Sequence, residues 1–216
     1  MNGPRVHITS DEIQARIREL AREISLDYEG KNPLLITLLK GAFIFLADLV
    51  RNLTIPHEVD FITFSSYRDG SRRCDAFEVI DHLRSDIDGR DIIIIDEIID
   101  TGHTLSKLIE TLSCHRINSL RICTLLDKHS KRQVTVPVHY CGFEIPDVFV
   151  IGYGLDYRER FRNLLYITEL TPELKSSQSL PPGDTWQNFE AAHRPPVHVG
   201  GGKPVPGEGI EELEGR

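Results

Sequence analysis

An α/β domain built on a mostly parallel twisted sheet is predicted by three observations. Short apolar runs suited to strands alternate with amphipathic helical stretches. The runs "PLLITLL" (33–39) and "IIIIDE" (92–97) have no polar alternation, as expected of strands buried on both faces. "HEVDFITFSS" (57–66) does alternate and is rich in aromatic and β-branched residues, as expected of a strand.

In chain order, residues 9–27 read as a helix. Thr9 with Glu12 forms a capping box, and Ile13, Ile17, Leu20 and Ile24 fall on one face. The strand 33–39 follows Asn-Pro. "KGAFIFLADLVRNL" (40–53) reads as the next helix, then the strand 57–66, then a polar loop "YRDGSRRCD" (67–75). The isoleucine strand covers 91–97. A helix over about 103–115 presents Leu105, Leu108, Ile109 and Leu112 on one side. "LRICTLL" (120–126), "YCGFEI" (140–145) and "VFVIGYGL" (148–155) read as three further strands. Residues 1–172 are thus expected to form one domain. The segment 173–216 is rich in Pro, Gly and charge, and reads as an extended or disordered tail, with Trp186 and Phe189 as the anchors of an alternative partner-binding segment.

Composition excludes several classes. The chain has 216 residues, 40% of them hydrophobic, enough for one sizeable core. No apolar run reaches the length of a membrane span, and the N-terminus has no basic patch followed by an apolar stretch, so neither a membrane protein nor a secreted one is expected, and a cytoplasmic location is. Cys74, Cys114, Cys123 and Cys141 form no C-x-x-C pair and read as reduced, buried thiols. A net charge of −8 argues against broad nucleic-acid binding, although it allows a local basic site for a small polyanion.

The chemistry concentrates in "IIIIDEIIDTGHTL" (92–105). In an open α/β sheet, ligands bind beyond the carboxyl ends of the strands. Asp96, Glu97 and Asp100 stand at such an end. The following Thr101, Gly102, His103 and Thr104 turn the chain into a helix, whose first N–H groups and partial positive charge suit a phosphate. The acids would repel that phosphate; they suit sugar hydroxyls or a metal ion shielding a more distant diphosphate. A phosphosugar has this layout.

The stretch resembles the phosphoribosyl diphosphate signature of the type I phosphoribosyltransferases. Residues of about 7–168 resemble the hypoxanthine-guanine phosphoribosyltransferases, particularly their short bacterial form. The resemblance rests on several quoted segments in order: "LLKGAF", "SSY", "LLDKHS" and "GFEIPDVFVIGYGLDYRERFRNL". It implies a parallel sheet with a small hood region, and transfer of phosphoribose from phosphoribosyl diphosphate to N9 of a 6-oxopurine. It also implies a magnesium ion and a homodimer or homotetramer. By position it makes Asp100 the general acid/base near N7 of the purine, and gives the 5′-phosphate to residues 101–104 and the ribose to Asp96 and Glu97. Lys128 donates to O6, Phe149 stacks on the base, and Val150 reads its edge through the backbone. Asp156, with Asp96 and Glu97, holds magnesium. Arg162, Lys40 and Gly41 meet the pyrophosphate, with a non-proline cis peptide at Lys40–Gly41. Ser66 and Tyr67 belong to a loop that closes over the ribose and excludes water.

Some features depart from the family pattern. Glu97 stands where the family usually carries Asp, which moves the carboxylate by about one carbon–carbon bond and adds a rotor. The loop after Tyr67 carries Arg68, Arg72 and Arg73 and is unusually basic, and His103 occupies a variable position of the turn. Two rival readings stand beside the enzyme: a uracil-using regulator of a pyrimidine operon, and a non-catalytic nucleotide-binding or interaction protein of the same fold.

Overall fold

The computed structural model describes residues 6–66, 77–79, 83 and 85–176. The main sheet contains β2 (Leu34–Leu39), β3 (Glu58–Ser66), β4 (Phe77–Val79), β5 (Asp91–Ile99), β6 (Ser119–Asp127) and β7 (Tyr140–Glu144), in the order β4-β3-β2-β5-β6-β7. The five strands from β3 to β7 are parallel, and β4 adds antiparallel at the β3 edge. A second, three-stranded antiparallel sheet joins β1 (His7–Ile8), β9 (Ile167–Glu169) and β8 (Val150–Ile151).

β5 lies at the centre because it can. Ile92, Ile93, Ile94 and Ile95 are each fully buried, alternately on the two faces of the sheet. Burying one such side chain contributes roughly 1.5–3 kcal/mol. Ile93 and Ile95 meet α1 (Ser10–Asp27) and α2 (Phe43–Asn52), whereas Ile92 and Ile94 meet α3 (His103–Leu112) through Leu105, Leu108 and Leu112. The predicted face of α1 is fully buried, and its capping box is formed: Thr9 N–H donates to Glu12 at 2.8 Å and Glu12 N–H donates to Thr9 Oγ1 at 3.3 Å.

The sheet order places the site. From β2 the chain crosses to β3 on one side; from β5 it proceeds to β6 and β7 on the other. The loops leaving β2 and β5 therefore diverge, opening a crevice at their carboxyl ends.

Several expectations are corrected. "VFVIGYGL" is not one strand: only Val150–Ile151 pairs, and the chain then turns through Gly152 (φ +100°), Tyr153 (φ +48°) and Gly154 (φ +96°). α2 starts at Phe43 because residues 40–42 form a turn, and the non-proline cis bond joins Leu39 to Lys40, one bond earlier than the resemblance implied. α3 ends at Leu112, so Cys114 lies exposed past its end; Cys123 is buried and Cys141 half-buried. The strands β1, β4 and β9, two or three residues each, are too short to show a period. α4 (Pro172–Ser176) is a short helix, and the predicted tail beyond it, like the loop at Tyr67, Arg68, Arg72 and Arg73 and Cys74, lies outside the described residues. Among the described residues, no helix is long and apolar enough to cross a membrane.

Candidate active site

A cavity of about 240 Å³ opens at the β2/β5 crevice, lined by Leu38, Leu39, Asp96, Glu97, Ile98, Ile99, Asp100, Thr101, Gly102, Thr104 and Leu105. Gly102 (φ +91°) supplies the left-handed turn into α3; a Cβ there would lie 2.4 Å from the Val134 carbonyl oxygen. The N–H groups of the first turn of α3 have no intrahelical acceptor, and no capping side chain takes them. The loop from Lys128 to Val134 is latched over this turn, with the Gln133 and Val134 N–H groups donating to the Thr101 carbonyl at 2.9 and 3.0 Å. His103 reaches the same loop, its Nε2 3.1 Å from Gln133 Oε1.

Asp96 is buried within β5, which runs on to Ile99 rather than ending at residue 97, and Glu97 follows half-buried. Burial raises the Asp96 pKa well above the carboxylate range, and the adjacent Glu97 charge raises it further. Burial also raises Glu97, against a hydrogen bond to Asp96 and the field of Arg162. Neither acid forms an ion pair among the described residues. Two desolvated carboxyls side by side, with only oxygen donors, fit a hard cation or a pair of sugar hydroxyls. They do not converge with Asp156 into a ready-made cage: among the described residues, no group of three acidic, His or Cys side chains could hold a metal.

Glycine contacts set the spacing on the other wall. A Cβ on Gly41 would lie 1.9 Å from Glu97 Oε1, and a Cβ on Gly154 would lie 2.2 Å from the Gly41 carbonyl oxygen. The loop after β2 is thus sandwiched between Glu97 and the turn at 152–154. Asp48 of α2 holds that turn, accepting from the Tyr153 hydroxyl and, at 2.7 Å, from Gln14. Arg162 closes the wall. Its Nη1 donates to the Gly154 carbonyl at 2.8 Å, and its Nη2 pairs with Asp156 at 2.8 Å and with Glu159 at 3.3 Å. Lys40 Nζ lies 3.4 Å from the same Glu159 oxygen.

A third group of charges stands at the end of β6. Asp100 places Oδ2 3.0 Å from Lys131 Nζ, while its Oδ1 is buried without a hydrogen-bond partner. Lys131 also lies 3.4 Å from Asp147. Lys128 is buried beside them; desolvation lowers its pKa, opposed by the charges of Asp100 and Asp147. Its backbone N–H donates to the Ile99 carbonyl at 3.0 Å. Phe149 is 52% exposed, which removes it from the core, and meets Tyr157 edge-on at 5.9 Å. Val150 is buried in β8, paired with Glu169.

The structure brings most of the sequence-derived residues into three clusters, of which the first and Asp100 line the cavity: Asp96, Glu97 and 101–104; Lys40, Gly41, Asp156 and Arg162; and Asp100 near Lys128. Ser66 ends β3, and Tyr67 lies outside the described residues. Lys131, Asp147 and Glu159 escaped sequence reasoning. The one available signal for Lys131 was its spacing three residues after Lys128, which the 3₁₀ turn His129–Lys131 converts into shared orientation.

Comparison with known proteins shows the family. The phosphoribosyl transferase domain model matches residues 9–158. Hypoxanthine phosphoribosyltransferase of Salmonella typhimurium is 49% identical over 164 residues, which is 75% of this chain and 92% of that protein. The bifunctional protein TilS/HprT of Listeria innocua is 45% identical over 172 residues, which is 80% of this chain but only 26% of that longer protein. The crystal structure of a hypoxanthine phosphoribosyltransferase from Staphylococcus aureus superposes with a TM-score of 0.75 at 40% identity, covering 81% of this chain and 96% of that one. By motif, by sheet order and by these likenesses, the chain belongs to the phosphoribosyltransferase family, in the branch that holds the hypoxanthine phosphoribosyltransferases.

Proposed function

We propose that the chain transfers the 5-phosphoribosyl group of phosphoribosyl diphosphate to N9 of a 6-oxopurine, hypoxanthine or guanine, releasing pyrophosphate in purine salvage. The observation that carries this reading is the placement of Asp100, which lines the cavity and is ion-paired with Lys131, within the electrostatic reach of the desolvated Lys128 and beside a helix-terminus phosphate cradle. The Asp100 carboxylate lines the cavity and can take the proton that the purine must lose, if the base lies within hydrogen-bond reach. An ammonium donates to O6, where a 6-aminopurine offers a donor instead.

In this reading the residues of 101–104 hold the 5′-phosphate, and Asp96 and Glu97 the ribose hydroxyls. Lys40, Gly41 and Arg162 receive the diphosphate, where the planar fork of Arg162 suits phosphate oxygens. Phe149, half exposed, stacks on the base, and the backbone of Val150 reads its edge. Ser66 and Tyr67 close over the reacting ribose. Magnesium would be held by Asp156, Asp96 and Glu97 together with the substrate's own oxygens, consistent with few protein ligands per ion, and it neutralises charge on the diphosphate. A homodimer or homotetramer fits the exposed apolar Phe43, Val59 and Phe61, and a cytoplasmic location fits the substrates. Residues 1–172 are proposed to carry the activity.

The test is pyrophosphate release by the full chain, and by the chain ending at residue 172, with hypoxanthine, guanine, adenine and uracil in turn, with and without magnesium. Magnesium-dependent turnover of the oxopurines by both chains is expected. Turnover of uracil alone would favour the operon regulator; nucleotide binding with no turnover of any base would favour the non-catalytic reading.

Lys128→Ala is expected to narrow the preference for guanine over adenine by roughly 1.5–3 kcal/mol in kcat/KM, since a charged donor to O6 is lost. Equal losses for both bases would make Lys128 a structural residue. For Glu97→Asp, the KM for the phosphosugar is expected to fall or stay unchanged, with little effect on kcat, because the shorter arm withdraws the carboxylate from Gly41 while keeping its charge. A parent without turnover that gains it through this substitution would overturn the enzymatic reading.

A further inference from the structure

Glu159 stands in the turn between Asp156 and Arg162, in a left-handed conformation (φ +63°) between Arg158 (φ +55°) and Phe161 (φ +76°). Its N–H donates to Asp156 Oδ2 at 2.9 Å, which fixes the backbone. Its side chain is 66% exposed, yet a single carboxylate oxygen touches two cations from distant parts of the chain, Lys40 at 3.4 Å and Arg162 at 3.3 Å. Hydrogen bonding to Arg162, with the Lys40 charge second, lowers the Glu159 pKa.

We propose that Glu159 is an internal competitor for the pyrophosphate seat, a carboxylate that bridges Lys40 and Arg162 until a diphosphate displaces it. The inference rests on the assignment of those two cations to pyrophosphate above. One oxygen between an ammonium and a guanidinium is the arrangement that a diphosphate oxygen would adopt there. Carboxylate and diphosphate carry the same sign of charge, so they cannot share the seat without repulsion. The exposed side chain has room to swing outward, while the anchored backbone keeps it ready to return. The carboxylate thus weakens the grip on a highly charged product whose release can limit turnover.

The experiment is calorimetric titration of inorganic pyrophosphate, with magnesium, into the full chain, Glu159→Gln and Lys40→Ala, with steady-state kinetics on the same proteins. Glutamine keeps the size of the side chain and the backbone bond to Asp156, so folding is not at issue. Because the two ion pairs are solvent-screened, Glu159→Gln is expected to bind pyrophosphate about two- to tenfold tighter. The KM for phosphoribosyl diphosphate should fall by a similar factor, inhibition by added pyrophosphate should deepen, and kcat should not rise. Weaker or unchanged binding in Glu159→Gln, with binding weakened in Lys40→Ala, would overturn the competitor role and leave the seat standing. Pyrophosphate affinity indifferent to Lys40→Ala would overturn the seat, and this inference with it.

Discussion

Asp100→Asn lowers oxopurine turnover by about 10²-fold or more, the usual size of a general-base contribution, while the Kd for phosphoribosyl diphosphate stays near that of the parent. Asparagine keeps the shape of the side chain and loses the ability to take a proton from the purine. The fold should not register the change. Asp100 lies at the rim of the cavity, and its pair with Lys131 is part-exposed, a class of contact worth roughly 0–1 kcal/mol; Lys131 retains Asp147. Single-turnover kinetics beside a thermal melt separates the two quantities. Turnover close to that of the parent would remove Asp100 from the base role.

Gly154→Ala is expected to cost about 2–5 kcal/mol of stability and to raise the KM for the phosphosugar. Two effects add: an L-residue at φ +96°, and a methyl group 2.2 Å from a backbone oxygen that no rotamer change can move aside. The displaced atom belongs to Gly41, so the damage passes directly into the loop proposed to meet pyrophosphate. Gly30→Ala is the control. Its φ of +74° imposes a similar conformational penalty, but a Cβ there meets nothing within 4 Å. Denaturant melts of the two variants should differ by the collision alone; equal losses would mean that the loop gives way freely.

The parallel sheet and the turn into α3 were legible in the sequence because both depend on local pattern. A short isoleucine run bounded by turn residues fits a buried strand, and the small-residue turn that follows fits the opening of the next helix at the strand's carboxyl end. The capping box was legible for the same reason, both partners being three residues apart. What escaped depends on contacts between distant segments. Nothing around Glu159 announces that Lys40 lies 119 positions earlier in the chain at its side. Nothing around Gly154 signals that the Gly41 carbonyl fills the place of its side chain. The turn at 152–154 was misread as strand because its apolar residues fit either state, and only the left-handed glycine geometry separates them. Glu97 was recognised as a departure, but its consequence, a carboxylate lying against Gly41, required the fold.

The pairing of His7 with Thr168 and of Ile8 with Ile167 has a kinetic side. It closes a loop of nearly the whole domain, and closure of that length is entropically among the last steps a chain can take. A ribosome delivers residues 167–169 long after residues 7–8, so the earlier strand waits unpaired while the large sheet assembles. The same antiparallel adjacency means that the chain enters β1 and leaves β9 at one end of that strand pair. A circularly permuted chain, with a short linker joining these ends and new termini opened in the polar segment 67–75, should retain the sheet order while exchanging its longest-range pairing for a local hairpin. Its refolding rate, compared with that of the natural connectivity, measures how far this one closure sets the pace of folding.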